Sequence, residues 1–553
     1  MRRGIKFFGA PLALACILVA FSAHAFGQVT PSPSAPAAAM PTPGAPTIPQ
    51  PAPTPSLTPT PSPTPTPTPP PITVSPEAAQ APVGLSTQLA VGSAIMPITA
   101  IARDPSIVGV AIDQQTQTVT LTGRVPGTTV VTIGDARGLT KDVPVTVAYQ
   151  AGSIPPSLEL RITGNPASAQ FVRGAVARAV AAAVVARPGA QVVVGPDDVT
   201  FEGTLGEDDV ANVDADVLVQ GEQYFSVNGT ARVRVIDVAT PRIAPDRLMV
   251  SDFPESLTEN GVLFTADLRL SAPSRFLFFH YDPPAQPDRR IVLRAENDGG
   301  EPALVQFIAG TGPATTNEME TGHDADTTFL VRMIQNEGQL ITIGAHASVN
   351  LVEDDLPHGT VISSLLQLRL LSGDHIRLTL FAQNASDDPD APITQTDLLV
   401  GAQRHARGIY TVPEFHQERA WSVDDPYLDL RIGQLPLHNT LQGEALSGDY
   451  GVLQSFVVTV QNPTAQPQPI AIYENPRGGR ATGTYLIDGV LVQSHQVPPF
   501  SRYKIRQYVV PARGFVRITI ETMPEGGSSY PLDLIFAPDD GSVPPGAPGS
   551  PVY

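Results

Sequence analysis

Cysteine is almost missing from this sequence. Cys16 is the only one in 553 residues, and it lies in the apolar stretch at the N-terminus. From residue 17 onward the chain can therefore have neither a disulfide framework nor thiol chemistry. Any folded domain must be stabilised by buried apolar surface, which suits modules of ~80–150 residues rather than miniature scaffolds.

Lysine and tryptophan are also scarce. The chain has three lysines (Lys6, Lys141 and Lys504) against 31 arginines, and its single tryptophan is Trp421. Schiff-base and P-loop chemistry both need a lysine, so little of either is expected. The sequence contains no HExxH, GxSxG, P-loop or CxxC motif. We therefore predict no cofactor, no metal centre and no catalytic residues.

Basic residues are fewer than acidic residues over the whole sequence, 34 against 53. The formal net charge is −19 at pH 7. Such a surface repels phosphate backbones and anionic lipid, so nucleic acid is excluded as a partner. Beyond the N-terminal stretch no run of 18 consecutive apolar residues occurs, and no transmembrane span is expected after signal cleavage.

The N-terminus itself reads as a secretory signal peptide. A basic start is followed by an apolar stretch and by Ala23-His24-Ala25, which fits an A-x-A cleavage site. We expect residues 1–25 to be removed from a bacterial protein that is secreted or placed at the cell envelope, in the periplasm or on the surface. Two alternatives would keep this end attached: an uncleaved signal, or a lipid anchor at Cys16.

Residues 26–71 form a linker rich in Pro, Thr and Ser. Eighteen prolines lie between positions 31 and 71, and no charged residue precedes Glu77 in this stretch. Proline fixes φ and removes backbone donors, so we expect a disordered, extended stalk that reaches about 130 Å at most. Repeated Thr-Pro and Ser-Pro pairs are also typical of O-glycosylated stalks.

At residues 72–150 the pattern changes to alternating strands. "QTVTLTGRVPGTTVVTIGDARG" (117–138) predicts two paired strands joined by a tight turn at Pro126-Gly127, and the unit has the size of an Ig-like β-sandwich. With "RDPSIVGVAI" (103–112) and "VPVTV" (143–147), it resembles the pilus-formation protein N-terminal domain and the group-2 bacterial immunoglobulin-like domain. The resemblance implies an envelope protein of the pilus-assembly or adhesin type, although nothing like a secretin barrel follows.

Residues 155–240 predict a small α+β module. The stretch 168–189 has apolar residues at helical spacing, with Ser168 as N-cap and Arg187-Pro188-Gly189 as the stop. The apolar stripe consists of small residues, which suits a helix that packs against a sheet.

Two β-sandwiches, 246–400 and 401–540, are predicted from an internal repeat, with a disordered tail over 541–553. The segment 290–308 parallels 455–473, since each has an alternating strand, an Asn, a Pro-containing turn and a second strand. The two Asn are Asn297 and Asn462.

A second pair of segments extends this repeat. "LLSGDHIRLTL" (370–380) parallels "VVPARGFVRITI" (509–520), and alternation places Arg377 and Arg517 on the solvated face. Arg377 follows Asn297 by 80 residues and Arg517 follows Asn462 by 55. We therefore expect a 25-residue insertion in one connection of the first sandwich. The second sandwich should repeat the first without this insertion.

One segment has the composition of a sugar-binding face. "EFHQERAWSVDDPYLDL" (414–430) combines a tryptophan, which can stack on a pyranose, with carboxylates and a histidine that can bond hydroxyls. A polar connector between domains would have the same composition. The candidate ligand-binding residues are Glu414, His416, Glu418, Trp421, Asp424 and Asp425.

Two further groups of polar residues have compositions that metal ions could use, although ordinary surface roles also explain them. His280 with the run Glu320, His323, Asp324 and Asp326 could supply ligands to a transition metal, but the spacing is loose. The acidic loops 206–216 and 384–390 could bind calcium, yet neither has the Asp-x-Asp-x-Asp-Gly pattern. Solvated turns remain the simpler interpretation of both loops.

These observations favour a protein that is not an enzyme. We predict serial β-modules on a flexible stalk at the cell envelope, with protein or glycan partners, acting in adhesion or in matrix or appendage interaction. The alternative is a carbohydrate-binding or glycan-hydrolysing protein that acts through the C-terminal pair of sandwiches. The separation of paired carboxylates, about 5–9 Å in glycosidases, depends on the fold and cannot be read from the sequence.

Overall fold

The computed structural model describes residues 69–270, 272–394, 398–399, 405–441, 444–546 and 548–549. The predicted signal peptide, most of the predicted linker and the end of the predicted C-terminal tail lie outside these residues. The described residues are mostly strands, with two α-helices, so the prediction of a mainly β chain built from β-sandwiches with one α+β module is confirmed.

The first unit is a β-sandwich with a core of its own. One sheet has the order β1-β3-β6-β5, and the other contains β4-β7-β8 with β2 beside β8. Leu89, Val119, Leu121, Ile133 and Val145 are fully buried between them. Its strands are β1 (Thr73–Ser75), β2 (Ala79–Pro82), β3 (Ser86–Gly92), β4 (Thr99–Ala102), β5 (Val108–Asp113), β6 (Thr118–Gly123), β7 (Gly127–Gly134) and β8 (Thr140–Gln150).

The turn predicted between β6 and β7 connects strands of two different sheets, so the two strands do not form a hairpin. β6 pairs with β3 and β5, whereas β7 pairs with β4 and β8. The prediction that Pro126-Gly127 links paired strands is therefore wrong. Alternation and a Pro-Gly pair fit both connections equally well, because each strand has one buried face either way.

Residues 152–237 form the α+β module. Its helix α1 (Ala169–Ala183) packs Phe171, Val172 and Val176 onto the sheet, and the Ser168 hydroxyl caps it by accepting a bond from the Phe171 amide at 3.3 Å. Its strands are β9 (Gly152–Ser153), β10 (Ser157–Thr163), β11 (Ala167–Ser168), β12 (Val185–Ala186), β13 (Gln191–Val193), β14 (Val199–Thr200), β15 (Thr204–Leu205), β16 (Val210–Gln220), β17 (Tyr224–Phe225) and β18 (Val227–Asp237).

The helix ends before its predicted stop. Val185 and Ala186 pair with Ser153 and Gly152, so the chain leaves the helix after Ala183. The β-branched Val184-Val185 pair favours this extended course over another helical turn.

The sheet of this module continues into the first of two larger sandwiches. β10 pairs with β24, whose Gly338 lies opposite Thr163, so the order is β13-β16-β18-β10-β24-β23-β26-β21-β19-β28. The second layer is the four-stranded sheet β20-β27-β22-β25. The elements are β19 (Arg247–Ser251), β20 (Gly261–Asp267), β21 (Ser274–Tyr281), β22 (Arg289–Asn297), β23 (Ala303–Thr311), α2 (Glu318–Ile334), β24 (Gly338–Ile343), β25 (Ser348–Leu356), β26 (Val361–Ser372), β27 (Ile376–Asn384) and β28 (Arg407–Tyr410).

The second large sandwich closes the described chain. Its sheets have the orders β29-β31-β36-β33-β34 and β30-β37-β32-β35-β38. The strands are β29 (Glu414–Ser422), β30 (Leu428–Ile432), β31 (Leu453–Asn462), β32 (Gln468–Pro476), β33 (Ala481–Ile487), β34 (Val490–Val497), β35 (Arg502–Val510), β36 (Gly514–Thr522), β37 (Leu532–Pro538) and β38 (Pro548–Gly549).

The two large sandwiches share a set of five antiparallel strands. In the first, β22 pairs with β25, and β23 lies between β24 and β26. In the second, β31 pairs with β36, and β32 lies between β35 and β37. Both insert a segment at the same connection, namely α2 between β23 and β24 and the β33–β34 hairpin between β32 and β35.

Arg377 and Arg517 do not occupy equivalent strands. Arg377 lies on β27, whereas Arg517 lies on β36, whose counterpart is β25. The predicted alignment of these two strands is wrong, and so is the 25-residue insertion inferred from it. The predicted outward face of both arginines is correct, and their neighbours Ile376, Leu378 and Ile518 are buried in the cores.

Candidate functional site

An open groove of about 640 Å³ lies on the outer face of the β20-β27-β22-β25 sheet. Strand alternation places polar side chains there, because the opposite face packs into the core. Thr265 comes from β20, Arg377 from β27, Glu296 from β22 and Ser348 from β25. Thr379 of β27 lines the same groove and is 6% exposed.

A loop fixed by one buried arginine forms a wall of the groove. Arg294 donates from Nη1 to the Ala391 carbonyl at 2.9 Å, from Nη2 to the Pro389 carbonyl, and from Nε to Asn350 Oδ1 at 3.1 Å. Asn350 Nδ2 donates to the same Pro389 carbonyl at 3.1 Å. Ile393 of this loop faces the groove. Both bonding side chains are buried, so the wall is held in one position.

Charged groups of both signs stand at one end of the groove, where Asp298 and Arg377 line it and His375 and Asp267 lie next to them. His375 Nε2 lies 3.3 Å from Asp267 Oδ1, and His375 Nδ1 lies 3.7 Å from Asp298 Oδ2. Arg377 Nη2 lies 3.6 Å from Asp298 Oδ2. These side chains are about half exposed, and contacts at such distances between exposed groups are weak. A ligand can therefore replace these contacts with contacts of its own.

The groove suits a polar ligand that is bound by hydrogen bonds. Its lining offers guanidinium donors, carboxylate acceptors and hydroxyls, with Val262 and Ile393 as a small apolar part, and the described lining residues include no Phe, Tyr or Trp. Within the described ranges, no group of three or more His, Cys, Asp or Glu is placed to hold a metal ion.

The predicted sugar-binding residues do not form one face. His416 and Glu418 are exposed on β29, whereas Trp421 is 4% exposed and belongs to the core with Phe456. An odd separation along a strand places Trp421 on the opposite side from those two residues. Asp424 and Asp425 are exposed in the following turn.

Glu414, the first of that set, has a structural partner. Its Oε1 accepts a bond from Arg275 Nη2 at 3.0 Å, and Arg275 is 0% exposed. Arg275 Nη1 also donates to the carbonyls of Pro413 at 2.8 Å and Gly451 at 3.1 Å. This arginine of the first sandwich therefore fixes the start of the second.

Residues of the other two predicted clusters have hydrogen-bond or ion-pair partners within the protein. His280 is buried with Ser251 and the Pro254 carbonyl, and burial lowers its pKa to about 4. Residues 210–216 of the first acidic segment belong to β16, and Asp214 there pairs with Arg232 of β18 at 3.0 Å. In the second segment, Asp388 accepts a bond from the Asp390 amide at 3.0 Å.

A second polar cluster, which sequence reasoning did not assemble, is buried where α2 meets the second sandwich. His323 Nδ1 lies 2.9 Å from Glu525 Oε2, and Thr482 Oγ1 donates to the same oxygen at 2.5 Å. Asp326 and Glu474 lie beside them, also buried. The sequence singles out His323 and Asp326 as possible metal ligands, but it gives no local signal for Glu474 and Glu525, which lie about 150–200 residues away in the chain.

Comparisons with known proteins give no family. No family model and no curated protein matches the chain. Among solved structures, it is similar to domains 5–6 of the S-layer protein SbsC (14% identity, 30% of this chain and 97% of that one, TM-score 0.13) and to tandem Ig repeats of Dlar (9%, 30% and 97%, TM-score 0.14). A Bacteroides ovatus protein, SGBP-B, solved with a mixed-linkage heptasaccharide, is 9% identical over 53% of this chain and 71% of that one, with a TM-score of 0.11.

The chain spans only 25% of a longer structure of the same S-layer protein, domains 1–6. At these TM-scores the likenesses identify no function. No helix within the described ranges is long and apolar enough to cross a membrane.

Proposed function

We propose that this is an exported, non-enzymatic bacterial envelope or surface protein that binds a partner through the groove of its first large sandwich. The coarse architecture, a series of β-domains, is established by the fold. The signal peptide and the Pro/Thr-rich linker support export and display on a stalk. The unit at 72–150, with its resemblance to the pilus-formation N-terminal domain, would then serve adhesion or appendage interaction.

The groove is the observation that carries this proposal. Its wall is fixed by Arg294 and Asn350, while Arg377, His375 and Asp298 at its end have only weak contacts. A rigid frame around loosely paired charges is typical of a binding site, because little ordering is needed when the ligand arrives.

A glycan is the ligand class that we favour within this proposal. Adjacent guanidinium, carboxylate and hydroxyl groups of balanced charge match the vicinal hydroxyls of a sugar. The polar character of the lining supports this choice over an apolar ligand or a peptide anchored by large side chains. Hydrolysis of the glycan is the alternative outcome to be tested.

The experiment is a binding assay of the exported chain on arrayed bacterial cell-wall and capsular glycans and on purified envelope proteins. The double variant Arg377→Ala/Asp298→Ala should lower affinity at least tenfold, since it removes the loosely paired groups. The matched control is Arg517→Ala/Glu418→Ala, an exposed pair 3.7 Å apart on the second sandwich.

The outcomes distinguish a glycan-binding groove from a site elsewhere, a hydrolase and a site for an envelope protein. Retained binding in the groove variant, with or without loss in the control, would place the site elsewhere and overturn the proposal. Release of reducing ends from a bound glycan, lost on substitution of Glu296 or Asp298, would make the protein a hydrolase. Binding to an envelope protein alone would replace the glycan as the ligand class.

A further inference from the structure

The two large sandwiches meet through the segments inserted at their equivalent connections. α2, inserted in the first, packs against β33 of the hairpin inserted in the second. Thr327 Oγ1 of the helix lies 2.6 Å from Thr484 Oγ1 of that strand. A Cβ on Gly322 would lie 1.7 Å from the Gly526 carbonyl oxygen, so the helix approaches as closely as it does only because no side chain is there. We call this contact of α2 with β33 and residues 523–528 the joint.

Four ionisable side chains are buried in the joint. His323 and Asp326 come from α2, Glu474 from β32 and Glu525 from the turn after β36, and none is more than 4% exposed. Asp326 Oδ2 accepts a long bond from the Gly526 amide at 3.4 Å, while Oδ1 has no hydrogen-bond partner among the described residues. An unpartnered carboxylate oxygen away from water favours the protonated acid.

The neighbours of this cluster are mostly hydroxyls and acids. Thr482 donates to Glu525, Ser494 donates to Glu474, and Tyr485 and Tyr530 stand beside both glutamates. The remaining charged or titratable groups that face the cluster are Asp324 on α2, His495 on β34 with its ring 4.6 Å from that of His323, Tyr503 on β35, and Arg275 on β21. Of these, Arg275 already pairs with Glu414.

The cluster is neutral overall when it holds its protons. Burial and the charge of Glu525 raise the pKa of Asp326, and burial raises the pKa of Glu474 to about 8. Burial alone would lower the pKa of His323, but the Glu525 carboxylate together with the nearby acidic groups outweighs burial, and the pKa is raised. Protonated Asp326 and Glu474, with a His323–Glu525 ion pair, sum to zero charge. Each proton lost adds one negative charge to a region closed to water.

We propose that the joint is a proton-dependent latch, in which α2 stays docked on the second sandwich while the buried cluster holds its protons and undocks as they are lost. The sign follows from the linkage of protonation to docking. The docked state holds protons on the two acids, and on His323, to higher pH than the undocked state, so docking weakens as pH rises. The opening equilibrium should rise about tenfold per pH unit for each proton released.

Thiol labelling of the full chain measures this opening. With Cys16→Ser as background, Thr327→Cys places a thiol inside the joint, and Glu320→Cys places a reference thiol on the exposed side of the same helix. The ratio of their labelling rates cancels the intrinsic effect of pH on thiol reactivity. The ratio should rise at least tenfold between pH 6 and pH 8.

Neutral isosteres test whether the cluster causes the change. The double variant Asp326→Asn/Glu474→Gln should flatten the rise, whereas Glu418→Gln, an exposed carboxylate on the second sandwich, should leave it intact. An equal ratio at pH 6 and pH 8 in the chain without cluster substitutions would overturn the proposal, and that reading does not depend on how the double variant folds. A rise that is as steep in a folded double variant would also overturn it.

Discussion

Asn297 and Asn462 make the same set of side-chain hydrogen bonds in the two large sandwiches. Each Nδ2 donates to the carbonyl four residues on, Glu301 or Gln466, at 2.8 Å. Each Nδ2 also lies 3.1 Å from two successive carbonyls at the end of a strand, and each Oδ1 accepts from the amide two residues on, at 2.9 and 3.0 Å. One side chain thus satisfies the backbone where a strand end, the turn that follows it and the end of a second strand converge, and it does so at corresponding ends of β22 and β31.

This role predicts a large and similar cost for losing either side chain. Asn297→Ala and Asn462→Ala each leave buried carbonyls and an amide without their partner, and should lower the free energy of unfolding by about 3 kcal/mol. Asn228→Ala, at an exposed position on β18, should change it by less than about 0.5 kcal/mol. Denaturant unfolding followed by circular dichroism measures all three, and a small effect at both buried positions would contradict the structural role.

The same pair shows how far the sequence could go. Asn297 and Asn462 were identifiable because an Asn between an alternating strand and a Pro-containing turn is a specific local pattern. The match of Arg377 with Arg517 failed, since an outward arginine on an alternating strand occurs on any strand of a sandwich. To recognise that β25 and β36 are equivalent strands, one needs to know which strands they pair with, and only the structure provides that.

Other features show the same difference: those decided by nearby residues could be predicted, and those built from distant residues could not. The Ser168 cap was predictable because helix capping is decided within four residues. Trp421 lies on the opposite face of β29 from His416, and this difference depends on strand parity, which the composition of the segment does not report. The groove and the joint depend on residues brought together from strands far apart in the chain, and no pattern within a window reports them.

Trp421 should behave as a core residue. Trp421→Ala should cost about 3–5 kcal/mol of stability, and Trp421→Phe distinctly less, because the indole Nε1 has no hydrogen-bond partner among the described residues. Since it is the only tryptophan, its fluorescence should be blue-shifted in the native state and shift red on unfolding. Glycan binding that survives in a folded Trp421→Phe variant would separate this residue from the binding site, and loss of binding there would restore the stacking role.

The Arg275–Glu414 pair should be strongly coupled across the two sandwiches. Arg275→Met leaves Glu414 and two carbonyls without their donor in a buried place, and should cost about 3–5 kcal/mol. Adding Glu414→Gln to it should recover part of that loss, since the unpaired charge is then removed. A double-mutant cycle by denaturant unfolding measures the coupling. Strictly additive losses would mean that the ion pair contributes nothing specific to holding the sandwiches together.

Asp354 should make stability depend on pH independently of the joint. It lies on β25, is 8% exposed, and its Oδ2 has no hydrogen-bond partner in the described part of the chain. Burial, together with the charges of Asp355 and Glu353, raises its pKa to about 7. The folded state therefore holds a proton that the unfolded state, with its ordinary pKa, has already lost.

The sign of the effect follows from that difference. The stabilising contribution of the protonated acid is complete below the unfolded pKa and is lost as pH rises through about 7. Between pH 5 and pH 7 this group alone should lower the free energy of unfolding by about 2 kcal/mol, and Asp354→Asn should remove that part of the slope. Denaturant midpoints at pH 5, 6, 7 and 8 provide the measurement, with Asp424→Asn, at an exposed turn, as the control that keeps the full slope. A slope that is unchanged in Asp354→Asn would show that the carboxylate is already ionised in the folded protein, with its charge compensated by rearrangement of β25.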